Sequence, residues 1–135
     1  MSGADRNRAD SNRADRGKAG QGGADRGGDT YREFTDAVNM KPRELATWLE
    51  TDESKRVGWH KGGRSGGGES VGHASGRRII DLLRRRRNQL DEGDYKHMRK
   101  VVGYVHRHLA QRPSGDVRNT KWRWSLMNWG RDPLR

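Results

Sequence analysis

Two groups of cations in the middle of the chain have the residue types and spacing to hold phosphate. The first is Arg77, Arg78, Arg84 and Arg85, running on into Arg86 and Arg87. The second is Lys96, Arg99, Lys100 and Arg107. Arginine presents a planar fork that pairs bidentately with phosphate, and lysine adds a compact point charge. The run Arg84–Arg87 has few acids nearby, only Asp81 and the Asp91–Glu92 turn. A solvated charged face therefore accounts for only part of it. Near the other end of the chain, Lys121, Arg123 and Arg131 surround Trp124. Cations interleaved with an aromatic ring suit a nucleic-acid strand, with phosphate on the charges and a base or sugar on the ring.

Two helices joined by a tight turn are needed to position the central cations. The first is read from Ser75 through the arginine run, with Ile79, Ile80, Leu82 and Leu83 inward and Arg77, Arg78, Arg84 and Arg85 outward. Arg86 and Arg87 fall in its last turn, where cations suit the helix dipole. The second begins near Asp91 and ends before Pro113. Tyr95, Met98, Val101, Val102, Val105 and Leu109 share one arc of about 120° at 3.6 residues per turn. Lys96, Arg99, Lys100 and Arg107 share another arc of about 100°. Gly103 sits inside that basic arc. A glycine there costs roughly 1 kcal/mol relative to alanine. It admits the close approach of another backbone, either a neighbouring helix or a phosphate strand. Asp91, Glu92 and Asp94 cluster at the start of this helix, where caps and dipole partners explain them without catalysis.

Elsewhere the elements are shorter. Residues 1–28 repeat Ala-Asp-Arg and Asn-Arg-Ala-Asp and contain no large apolar residue. Such a segment buries too little to offset chain entropy and is expected to be a disordered tail. Thr30 and Glu33 have capping-box spacing for a short helix ending at Asn39. Pro42 opens a second helix from Lys41 to about Asp52, with Leu45, Trp48 and Leu49 inward and an acidic surface. Residues 54–74 are expected to be irregular, with a flexible glycine-rich loop at 62–68 that lacks the Gly-Lys-Ser/Thr of a Walker A motif. A last helix runs over residues 120–130, with Trp122, Leu126 and Trp129 on one face and Gly130 as its stop. Trp122 and Trp129 read as core. Trp124 stays open between core and contact.

Composition narrows the function classes. The chain has 135 residues, 29% hydrophobic and 35% charged, with no cysteine. That excludes disulfides, thiolate metal sites and a cysteine nucleophile. The apolar content suffices for one small core, so a single helical domain over 29–135 is expected. No apolar run reaches the roughly 20 residues of a membrane span, and no signal-peptide segment is seen. A soluble cytoplasmic protein without membrane contact follows as the expectation. The five histidines lack metal-site spacing and are expected to titrate near neutrality. No cofactor is called for. The net charge of +11 is carried by residues 57–135, which hold 18 basic and 7 acidic side chains. The positive field therefore belongs to the folded part, which points to a polyanionic partner.

Several stretches together resemble a known family. They are Glu69-Ser70-Val71-Gly72-His73, Ser75-Gly76-Arg77-Arg78-Ile79, His97 to Gln111, and Trp122 to Leu134. The resemblance covers residues 31–135 and is to domain of unknown function family 3140, some of whose members carry the label DNA-binding protein. That family's pattern leads one to expect threonine near Lys41 as a helix cap and histidine near Arg131. The resemblance favours nucleic-acid binding but supplies no catalytic or base-reading motif.

The expected protein is an all-α small bundle of four to five short helices preceded by a disordered tail. The expected function is DNA binding directed at the phosphate backbone, with the cytoplasm or nucleoid as its place. The contact residues are Arg77, Arg78, Arg84, Arg85, Lys96, Arg99, Lys100, Arg107, Lys121, Arg123 and Trp124. Neutralising about 6–8 phosphates corresponds to a salt slope near −5 to −7. Two alternatives use the same charges: RNA or ribosome binding, with Trp124 and Tyr104 stacking on unpaired bases, and an adaptor that holds an acidic protein. An enzyme is the least favoured class, since no nucleophile–base pair or paired carboxylates stand out.

Overall fold

The computed structural model describes residues 23–60 and 68–135. Among these residues it is helical without strands. Six α-helices follow one another: α1 (Gly23–Ala37), α2 (Pro42–Leu49), α3 (Asp52–Arg56), α4 (Val71–Arg84), α5 (Glu92–Leu109) and α6 (Lys121–Asn128). A single 3₁₀ turn, Arg87–Gln89, links α4 to α5. Residues 1–22 and the glycine-rich stretch from 61 to 67 lie outside the described residues. No described helix is long and apolar enough to cross a membrane.

The helices pair as α1 with α5 and α2 with α4, and α6 touches α2, α3, α4 and α5. The last helix is thus the piece on which the two pairs meet. Its position explains its weak facial pattern. Trp122, Leu126, Asn128 and Trp129 are buried, and Trp124, Ser125 and Met127 are half-buried. A helix enclosed on several sides has no solvent face to keep polar.

The long helix follows its expected stripe. Met98, Val101 and Val105 are fully buried, and Tyr95, Val102 and Leu109 pack on the same core. Phe34, Ala37 and Val38 of α1 and its exit belong to that core, as do Leu45, Leu49, Ile79 and Leu82. Asp91 caps α5: its Oδ1 accepts from the Asp94 amide at 2.9 Å, and Asp94 Oδ2 accepts from the Asp91 amide at 3.0 Å. This reciprocal box satisfies two donors that a helix start otherwise leaves bare.

Four helix boundaries differ from expectation. α1 begins at Gly23, so Thr30 is a buried residue within the helix rather than its cap. α2 ends at Leu49, and the separate helix α3 follows it, capped by the Thr51 hydroxyl. α4 begins at Val71, inside a stretch expected to be irregular, with the Ser70 hydroxyl accepting from the His73 amide at 3.0 Å. Ser75 and Gly76 are therefore interior to α4. A Cβ on Gly76 would lie 2.6 Å from the Asn128 carbonyl oxygen and 2.9 Å from Leu49. Close approach of α4 to α2 and α6 is thus the reason for a glycine in mid-helix. Finally, α4 stops at Arg84, so Arg86 and Arg87 lie beyond it. Arg87 instead sits 4.7 Å from the centre of the Tyr31 ring on α1.

Gly130 ends α6 as expected, at φ 84°. Its carbonyl accepts from the Met40 amide at 3.1 Å, which ties the chain after α6 to the α1–α2 connection. Asn39 and Asp132 exchange two hydrogen bonds there, at 2.9 and 2.7 Å. Arg131 donates to the Asp36 carbonyl at 3.0 Å, a cation at the end of α1 where the helix dipole favours one.

Candidate nucleic-acid interface

The α4 arginines are largely occupied inside the molecule. Arg77 holds Glu69 with two guanidinium nitrogens, one of them Nε at 2.8 Å. That fork, foremost, holds the Glu69 carboxyl down to about 2. Arg78 donates to the Gly93 carbonyl and to Asp94, each at 3.3 Å. Arg85 spans Asp94 at 2.8 Å and Asp81 at 2.7 Å. Asp94 is only 4% exposed, so one carboxylate caps α5 and also receives two arginines from the α4 side. The hydrogen bond from the Asp91 amide is the largest influence lowering its pKa. Arg84 is exposed and has no ion pair among the described residues.

The α5 cations are differently placed. Lys96, Arg99, Lys100 and Arg107 are all exposed, and none pairs with an acid among the described residues. Gly103 lies among them. A Cβ there would meet only the Arg107 guanidinium, at 3.4 Å, within 4 Å. Packing against a neighbouring helix therefore does not explain this glycine. The basic side of α5 is open at its middle, where backbone is accessible between four unpaired cations.

The two helices adjoin at His97. The Ser75 hydroxyl lies 3.0 Å from His97 Nε2. Burial, and then the positive charges of Arg78 and Lys100, push the His97 imidazole down to about 4. The charges of Arg78 on α4 and Lys100 on α5 thus both bear on this one side chain. His108 is also lowered, chiefly by burial. For His97 the expectation of titration near neutrality is corrected, and burial moves His108 in the same direction, because both rings are packed rather than solvated.

The rings are packed in a column. His97, Trp129, Tyr104, His108 and Trp122 follow one another with centroid separations of 6.3, 4.3, 5.1 and 6.1 Å and interplanar angles of 13–16°. Arg112 covers the far end, 5.5 Å from the Trp122 ring. Three rings come from α5, and the two tryptophans come from α6 and its exit, Trp129 between His97 and Tyr104 and Trp122 beyond His108. Trp122 and Trp129 are therefore core, as expected. The Trp122 indole donates to the His108 carbonyl at 2.7 Å and sets the start of α6 beside the end of α5.

At that start Lys121 is exposed and has no ion pair among the described residues. Arg123 is engaged by Asp132 through two bonds of 3.1 Å, and it also donates to the Arg118 carbonyl. Trp124 is half-buried and lies outside the core cluster. Of the sequence-derived contact residues, then, Arg84, Lys96, Arg99, Lys100, Arg107 and Lys121 present unpaired charge. Arg77, Arg78, Arg85 and Arg123 spend theirs on Glu69, Asp81, Asp94 and Asp132.

Sequence reasoning did not single out Trp59. It is 66% exposed, although its carbonyl is pinned by the Val71 amide at 2.8 Å. It borders a cleft of about 90 Å³ shared with Gly58, Val71, Gly72, Tyr104 and Trp129. An aromatic residue between a glycine and a histidine, just before a glycine-rich stretch, was the available signal.

Comparison with known proteins gives one match. A search of curated proteins and a search of solved structures each found none. Residues 33–127 match the family model described as Protein of unknown function (DUF3140), a span that includes α2 to α5 and nearly all of α6. The chain belongs to that family.

Proposed function

We propose that this protein binds DNA, chiefly through the phosphate backbone, with the exposed side of α5 as the principal contact. The observation that carries the reading is the set Lys96, Arg99, Lys100 and Arg107, unpaired among the described residues and grouped around an open Gly103. A backbone can approach such a glycine closely, and the four cations hold phosphates on either side of it. Arg84 and Lys121 are further exposed cations without an ion pair among the described residues. The paired α4 arginines add field rather than free contacts, so the number of phosphates neutralised is smaller than their count suggests. Phosphate contacts of this kind fix position without reading sequence. The reading is of a binding protein, acting in the cytoplasm on the nucleoid, rather than of an enzyme.

The test is fluorescence anisotropy with labelled duplex DNA across a salt series. Four neutralised phosphates give a log–log slope of about −4. Changing Lys96, Arg99, Lys100 and Arg107 to glutamine together should remove the binding. Changing Arg77 and Arg85 should alter the slope little. An unchanged affinity in the four-site variant would overturn the assignment to α5.

A further inference from the structure

We infer that the cleft beside α5 receives an unstacked nucleobase, so that this protein grips single-stranded nucleic acid by base as well as by phosphate. The inference rests on the phosphate-binding reading above and adds a second, chemically distinct contact to it.

Three observations converge on the cleft. Trp59 stands 66% exposed at its rim, with its backbone fixed to the first residue of α4. A large aromatic ring held out on a pinned backbone is a stacking platform that loses little freedom when a base lies on it. Trp129, in contrast, is only 5% exposed, and its ring lines the cleft wall. Its indole N–H has no acceptor among the described residues. The Trp48 and Trp122 indoles, by comparison, donate to Asn128 and to His108. The Trp129 Nε1 is the atom nearest to a Cβ built on Gly72, at 3.0 Å. Any side chain at residue 72 would crowd this donor. With glycine there, the donor faces the cleft and is available to a ligand acceptor, such as a ring nitrogen or an exocyclic oxygen of a base. The donor meets solvent at the cleft, and a ligand acceptor there takes the place of that water.

The third observation is charge. Tyr104 lines the same cleft and lies next to Gly103 on α5, between Lys100 and Arg107. A strand whose phosphates lie along Lys100, Gly103 and Arg107 therefore runs past the turn of α5 that borders the cleft. The cleft is well below the 300–1,000 Å³ or so of small-molecule sites. A single flat ring or its edge suits it, whereas a whole nucleotide cofactor does not. Duplex DNA keeps its bases stacked, so the occupant is an unpaired base of single-stranded DNA or of RNA.

The experiment compares full-length wild type with Trp59→Ala and Trp59→Phe. The probes are labelled oligo-dT, oligo-U, an abasic strand of equal length and charge, and a duplex. The expected result is that wild type prefers a base-bearing strand over the abasic one by roughly tenfold, in line with base–aromatic stacking. Trp59→Ala should bind both strands alike while duplex affinity and salt slope stay as in wild type. Trp59→Phe should restore part of the preference. A preference for oligo-dT assigns the base to DNA, and one for oligo-U assigns it to RNA; either supports the inference. Equal binding of base-bearing and abasic strands by wild type, or a preference that survives in Trp59→Ala, overturns the base cleft and leaves duplex binding standing. Failure of every probe to bind, the duplex included, overturns the phosphate reading and the base contact with it.

Discussion

The side-chain oxygen of Asn128 accepts the Trp48 indole N–H at 2.7 Å, across 80 residues of chain. The same oxygen accepts from the Ser54 hydroxyl, and the Asn128 amide donates to the Ser54 carbonyl at 3.0 Å. Asn128 and Ser54 are both buried. One amide at the end of α6 therefore joins α2 and α3, and it completes the contacts that make α6 the centre of the bundle. Asn128→Leu keeps similar bulk but leaves the Trp48 and Ser54 donors and the Ser54 carbonyl without partners. Each unsatisfied buried group costs about 1–3 kcal/mol, so a loss of roughly 3 kcal/mol is expected. Urea unfolding followed by tryptophan fluorescence measures it. A loss below about 1 kcal/mol would mean that water replaces the network.

The two mid-helix glycines make opposite predictions. Alanine normally stabilises a helix interior by about 1 kcal/mol over glycine. At Gly76 the added Cβ would lie 2.6 Å from the Asn128 carbonyl oxygen, which belongs to backbone and cannot swing aside. Gly76→Ala is therefore expected to destabilise by about 1–3 kcal/mol. At Gly103 the added Cβ meets only the mobile end of Arg107. Gly103→Ala should raise the melting temperature and, if a phosphate strand lies against that backbone, weaken DNA binding at the same time. Stability up with affinity unchanged would show that the strand passes elsewhere.

Part of this was readable in the residues themselves. Periodicity exposed α5, because Met98, Val101 and Val105 recur at helical spacing and are buried as that spacing requires. It missed α3, because Asp52–Arg56 contains no apolar residue and is held through Ser54 and the Thr51 cap. It also placed the start of α4 late, at Ser75 rather than Val71, since Gly72 looks like loop until the neighbour it accommodates is known. The charges were legible as a total but not as free charge. Glu69 is eight residues from Arg77, and Asp94 is nine from Arg85 and sixteen from Arg78. Which arginines are cancelled depends on how α4 meets α5, and no local spacing encodes that. The ring column was hidden for the same reason, because His97, Tyr104 and His108 of α5 are joined by Trp129 and Trp122 from the far end of the chain.

Asp94 tests the cancellation directly. Asparagine at 94 keeps a side-chain oxygen to accept from the Asp91 amide, so Asp94→Asn chiefly removes the charge that Arg78 and Arg85 share. The Asp94 pKa is lowered in the fold. Its contribution is therefore present at neutral pH and is lost as pH falls below about 4 towards the depressed value. Asp94→Asn is expected to destabilise by about 1–2 kcal/mol at pH 7, with the difference from wild type closing in acid. The same substitution frees Arg78, and frees Arg85 from one of its two acids. DNA affinity should rise and the salt slope steepen, by up to about two if both find phosphates. A variant with unchanged slope would mean that Arg78 and Arg85 lie out of reach of the strand.

His97 gives the pH dependence its second limb. Its folded pKa is about 4, against the ordinary histidine value of 6.5. Between those values the unfolded chain binds a proton that the folded chain refuses, so stability rises with pH across that interval. The neutral ring is favoured in the fold because it is buried, with Trp129 stacked on it, and because the Arg78 and Lys100 charges bear on it. On acidification from about 6.5 to about 4, the wild type should lose up to about 3 kcal/mol through this group, an upper bound for a ring that keeps some contact with water. His97→Gln retains a hydrogen-bonding side chain without the titration and should flatten that limb while lowering stability at pH 7. Urea unfolding at a series of pH values, with NMR titration of the His97 ring protons, measures both. A His97 midpoint near 6.5 would show the ring to be solvated, and the seam between α4 and α5 would then be open at the Ser75–His97 contact.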